Sequence, residues 1–329
     1  RMVADARFTD AAVSFHLQWL DVVELPGKEK RKSLHPLWSE NLRAFMHEET
    51  VRFVTDVIKS GDGRLETLLT APYTIAGGPL VTLYGPASKQ PQPKKDKEKD
   101  EKPKSILDQA RPAPDPPKLR PSDVPWRRLA LDPGQRAGLL TQASVLTVHA
   151  HWDKSSLVHR GKLIREKLLC EVLPPPPPDV NNTLPPTDAK VSARERFEEH
   201  RAEVSCAKCH RLIDPLGAPF EMFDAIGNFR TKDGPSDVDS EGELTGTKKN
   251  DGPVKNAAEL ARRLATADEV RECVVRQWFR FALGREEAPD EAPSLVAALT
   301  AFRAADYRIP ALVVAIAQTD AFRNQQVSP

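Results

Sequence analysis

The sequence predicts a mostly α protein: a helical N-terminal domain, a central segment and a helical C-terminal domain. Three observations carry that expectation. Apolar residues recur at helix spacing in several stretches that open on a capping residue and close on glycine. Proline is in excess, 30 in 329 residues or about 9% against a usual ~5%, while glycine is below its usual share. That balance implies stiff connectors between folded units rather than floppy linkers. Finally, 40% of the residues are hydrophobic, which supplies real cores and excludes wholesale disorder.

The elements follow in order. Thr9 or Asp10 caps a first helix bearing Ala12, Phe15 and Trp19 on one side. Ser39 caps a second, with a stripe of Leu42, Phe45, Met46, Phe53, Val54, Val57 and Ile58, and Gly61 stops it. Leu65 to Tyr84 is less periodic and contains a Gly77-Gly78-Pro79 turn. These elements make residues 1–85 a helical domain. Residues 86–125, with alternating lysines and acids between prolines, read as an exposed flexible insertion. Within 126–235, Leu139 to Val148 fits either a helical turn or a short strand, and Ser155 or Ser156 opens a helix to Cys170. Pro174–Pro178 end that helix in a polyproline II strut, and a charged helix from Ser192 leads to about Val204. The C-terminal domain, 236–329, carries helices near 256–266, 268–283, 294–306 and 310–319. In the second of these, Val270, Cys273, Val274, Trp278, Phe281 and Ala282 are expected to form one buried face, and Gly284 is the stop.

Charge and hydropathy exclude some partners. With 48 basic and 47 acidic residues the net charge is +1, which argues against nucleic acid and acidic membrane surfaces. The longest apolar run, Ala311 to Ala317, falls far short of the roughly 18 residues of a membrane span. The opening Arg1-Met2-Val3 reads as a cut inside a longer precursor, so an export signal would lie upstream.

The chemistry concentrates in Cys206-Ala207-Lys208-Cys209-His210. C-x-x-C-H is the attachment pattern of c-type haem: two thiols form thioethers with the porphyrin vinyl groups, and the adjoining histidine is the proximal iron ligand. With 4 Cys and 8 His in the chain, chance would produce the pattern about once in a thousand such sequences, so it predicts one covalent haem c. A zinc site would need two more ligands at suitable spacing, and a thioredoxin-like dithiol a surrounding βαβ pattern. Candidates for the sixth ligand are Met222, His200, His149 and His151, with His159 also in reach of the same loop-rich segment; each has a plain reading as a core or hydrogen-bonding side chain. Cys170 and Cys273 fall on apolar helix faces. Haem c is matured on the oxidising side of a membrane, so they are expected to form a disulfide rather than two unpaired core thiols. Asp237 to Lys248 begins like a calcium loop but has lysine where a bidentate Glu is required, and is better read as a solvated acidic turn. Asn181-Asn182-Thr183 fits a glycosylation sequon and is given no weight.

These motifs carry a family resemblance. Gly138 to Thr147, Arg160-Gly161-Lys162 and the Pro174–Pro178 run resemble the multidomain cytochrome c proteins of planctomycetes and myxobacteria. Arg194 to Phe197, His200, Cys206 to His210, Asp214-Pro215-Leu216-Gly217 and Phe223 to Gly227 resemble their haem segment. Phe15, Gln18 to Leu20 and Leu80 to Gly85 are similar to their preceding helical domain, and Trp278 to Arg285 to their C-terminal one. The resemblance implies an exported bacterial protein with a further N-terminal portion. It departs at Ile213, where members often have Met, and at Met222, where many carry Asn or His.

The expected function is therefore an exported, periplasmic or otherwise extracytoplasmic mono-haem module for electron transfer. His210 would be the proximal ligand, Cys206 and Cys209 the tethers, and redox proteins, the N-terminal portion or other subunits the partners. The alternatives are a haem-dependent oxidase or peroxidase, with His149 or His151 as base, and a structural subunit of a redox assembly, which would show a large apolar patch on residues 1–85.

Overall fold

A computed structural model describes residues 2–85, 119–173, 204–233 and 235–324. The chain is mostly helical, as the periodicity predicts. The first helix, α1 (Ala6–Trp19), starts earlier than Thr9 because Asp5, in an extended conformation, accepts the Arg7 N–H. Its buried face is Phe8, Ala12, Phe15 and Trp19. Helix α2 (Glu40–Thr55) is capped by Ser39, whose hydroxyl accepts the Leu42 N–H at 3.1 Å. It widens into a π-type turn at Asp56–Ser60 that buries Val57 and Ile58. Beyond it lie α3 (Leu65–Thr70), strand β1 (Tyr73–Ala76) and the short α4 (Leu80–Leu83).

Strand β1 pairs antiparallel with β2 (Arg127–Ala130), Tyr73 opposite Ala130 and Ala76 opposite Arg127. The stretch that fits helix or strand is a 3-10 turn at Leu139–Thr141 followed by α5 (Ala143–Val148). Every residue of α5 is buried, so it has no polar face to show a helical period. Helix α6 (Leu157–Leu163) is capped by Ser156, which accepts the His159 N–H, and continues as a π-type turn at Ile164–Leu168. The proline strut, the helix expected from Ser192 to about Val204, and His200 lie outside the described residues, as does the insertion up to residue 118.

Helix α7 (Val204–Gly217) carries the cysteine motif. Two small antiparallel pairs follow, β3 (Lys232–Asp233) with β4 (Ser236–Asp237) and β5 (Gly242–Leu244) with β6 (Gly252–Val254). The C-terminal helices are α8 (Ala257–Thr266), α9 (Asp268–Leu283), α10 (Ala292–Ala304), α11 (Ile309–Gln318) and α12 (Asp320–Arg323). Helix α9 ends at Gly284, whose φ of 70° is left-handed and therefore suits glycine.

One hydrophobic core runs through all of these segments, from Phe8 and Trp19 through Leu146 and Leu168 to Phe223, Trp278 and Ile316. Cys170 and Cys273 form the predicted disulfide, with Cα atoms 5.4 Å apart, fastening the end of α6's continuation to α9. No described helix is long and apolar enough to cross a membrane.

Candidate functional site

Helix α7 sets the geometry of the motif. In a helix of 3.6 residues per turn, positions 206, 209 and 210 share one face, and 214 lies a turn further on beside 210. Cys209 is a free, half-buried thiol. His210 places Nδ1 3.0 and 3.2 Å from the two carboxyl oxygens of Asp214. Asp214 is 4% exposed and His210 15%. A carboxylate only accepts, so in this contact Nδ1 is the donor.

The far turn of α7 is fixed by backbone contact. A Cβ on Gly161 of α6 would overlap the Ile213 carbonyl, and one on Gly217 would overlap that of Leu157. Two glycines thus let α6 and α7 cross at a separation that side chains would prevent. Pro215 interrupts the helical hydrogen-bond ladder here, and the buried Arg165 donates from Nε to the Leu212 carbonyl at 2.7 Å. Strand β5 closes over the same turn, since a Cβ on Gly242 would strike the Pro215 carbonyl.

Three arginines then hold the segment that follows the helix. Fully buried Arg160 of α6 donates to the carbonyls of Phe220 and Phe223, each at 2.8 Å, Asp224 at 2.6 Å and Leu146 at 3.3 Å. Arg136 donates to Thr141 and Gly227 carbonyls at 2.7 and 2.6 Å, its guanidinium over the rings of Tyr84 and Phe223. Arg230 binds the Glu221 carboxylate and Ser155, each at 3.0 Å. Asp224 closes the turn by accepting the Ile226 and Asn228 N–H groups, both at 2.9 Å.

The candidate sixth ligands have definite places. Met222 is buried in the main core between Phe220 and Phe223 along the chain, and its carbonyl accepts the Arg230 N–H at 2.8 Å. His149 is half-buried with Nε2 3.3 Å from the Leu20 carbonyl, and desolvation pushes its pKa down to about 4. The rings of His151 and His159 lie 4.9 Å apart, next to Lys30, which donates to the Ala150 and His151 carbonyls at 2.9 and 2.7 Å. Burial, then repulsion from Arg160, lowers Lys30 to about 7. Among the described residues no three His, Cys, Asp or Glu side chains converge as a metal-holding group, the acidic turn from Asp237 included.

The chain matches three protein-family models. Residues 1–85 match a protein of unknown function (DUF1592), residues 136–233 another (DUF1588, short name PSCyt3) and residues 251–322 a third (DUF1585). Each match covers less than a third of the chain, and all three families are of unknown function. The middle match contains Cys206 to Asp214, all three arginines and the α6–α7 crossing. No curated protein and no solved structure matches the chain.

The sequence reading gives Asp214 no role, although its spacing of four from His210 on a helix is the signal that pairs them. It also leaves Arg160, Arg136 and Arg165 unassigned. Their partners are mostly main-chain carbonyls, many of them remote in sequence, which leave no mark on residue type.

Proposed function

We propose that this chain is a mono-haem c-type cytochrome module that transfers electrons outside the cytoplasm. The observation that carries the reading is Cys206-x-x-Cys209-His210 on one face of α7 with His210 Nδ1 donating to Asp214. The donor set fits the group: two cysteines three positions apart on a helix suit two porphyrin vinyls, and an imidazole donating from Nδ1 would leave Nε2 to hold the iron. When bound, the haem would supply a one-electron ferric/ferrous couple. The chain's own part is to hold the tethers on a rigid helix, orient the imidazole and exclude water with the apolar residues around Ile213, Leu216 and Phe220. The short name of the middle family hints at cytochromes and agrees with this reading. The Cys170–Cys273 disulfide suits the oxidising compartment in which haem c is matured.

The oxidase or peroxidase alternative asks for a base over the haem, His149 or His151; of these, His149 already faces the Leu20 carbonyl. The assembly alternative asks for an apolar patch on residues 1–85. There the exposed large apolar side chains among the described residues are Met2, Val3 and Val23. A spectroelectrochemical titration of the full chain, produced with a c-type haem maturation system, separates the readings. One reversible one-electron step without peroxide consumption is expected, and rapid peroxide turnover would move the assignment to the enzyme class.

A further inference from the structure

We infer that Asp214 is a positioning residue that acts through His210 to hold the iron of this site at a low reduction potential; the inference rests on the haem reading above. The contact is built in. Asp214 lies four residues after His210, so the helix pitch brings the two side chains together, at 3.0 and 3.2 Å. The turn carrying Asp214 is locked on both sides: Ile213 sits against Gly161, Gly217 against Leu157, and Arg165 holds the Leu212 carbonyl. Asp214 is 4% exposed, so its charge is little screened by water.

The consequence follows from charge and ligand basicity. A carboxylate accepting the Nδ1 proton draws it away from the ring and raises the electron density at Nε2. It would also fix a negative charge one imidazole away from an iron held by His210. Ferric iron carries one more positive charge than ferrous iron and gains more from both effects. Asp214 therefore favours the oxidised state, where a neutral carbonyl partner would do so less. No proton need move between the two oxidation states for this to hold, and the ring orientation is set by the same bond.

Asp214→Asn tests this in the full haem-loaded chain, because it keeps the shape and an acceptor oxygen while removing the charge. The midpoint potential is expected to rise by at least a threefold change in the ferric-to-ferrous ratio, about 28 mV at 59 mV per tenfold for one electron. A smaller change with normal haem content overturns the inference and leaves the haem reading standing. A purely structural Asp214 would lower yield or stability without moving the potential. A wild-type chain without covalent haem removes the haem reading and the inference together. If Asp214→Asn does not accumulate, ferrous wild-type protein labelled at histidine Nδ1 provides the test. The Nδ1 proton of the haem-ligating histidine is expected to exchange with solvent at least tenfold more slowly than that of an exposed histidine, and an unprotected proton overturns the assignment.

Discussion

His16 is fully buried beside Phe15, Trp19 and Trp278, with Nδ1 2.7 Å from the Ala12 carbonyl. Burial lowers its pKa from 6.5 to about 4. A histidine lowered in this way contributes stability that is present above pH 6.5 and lost as pH falls through about 4, because the unfolded chain takes up the proton first. His149 acts in the same direction. Glu49 acts oppositely. It is buried, accepts from Thr74 and Tyr84 hydroxyls at 2.6 and 2.8 Å, and burial raises it to about 7, so its contribution is lost as pH rises towards 7. The expected outcome for His16→Leu is a shallower loss of unfolding free energy between pH 6.5 and 4, by on the order of 3 kcal/mol across that window. Denaturant titrations of wild type and variant at several pH values check it, and parallel curves would contradict it. The buried face of α1 was legible from spacing, as Ala12, Phe15 and Trp19 show, but a histidine on that same face carries no sequence mark of full burial.

Helices α6 and α7 meet through glycine, and that crossing carries the motif. An added methyl at Gly161 has to displace the Ile213 backbone one residue from Asp214, so Gly161→Ala is expected to cost about 2–3 kcal/mol. Gly27→Ala, whose Cβ would meet nothing within 4 Å, is the control and is expected to be near neutral. Denaturant midpoints of the two variants distinguish the crossing from a general intolerance of alanine. The helices themselves were readable where one face is apolar and a cap is present: Ser39 opens α2 and Gly284 closes α9 as the sequence predicts. Elements defined by distant partners were not. Strand β1 is four residues long and finds β2 only across the intervening insertion, and α5 is buried on every side and so lacks a period.

At the scale of the molecule, the described segments share the main core and are joined by the Cys170–Cys273 bridge. The bridge spans 103 residues of sequence, and its removal in Cys170→Ser with Cys273→Ser is expected to cost about 2–5 kcal/mol, read as a lower denaturant midpoint that reductant does not depress further. The pairing of Cys170 with Cys273 was legible because two other cysteines belong to the C-x-x-C-H motif and leave only these two. What the sequence could not supply is how the motif is mounted: buried arginines that gather carbonyls, and a carboxylate behind the histidine. The central claim is that the motif holds one haem covalently. Intact mass of the acid-denatured full chain, produced with haem c maturation, tests it most directly. The expected mass is that of the chain plus one haem, with loss of that increment in Cys206→Ala with Cys209→Ala. A wild-type chain of bare polypeptide mass would contradict it.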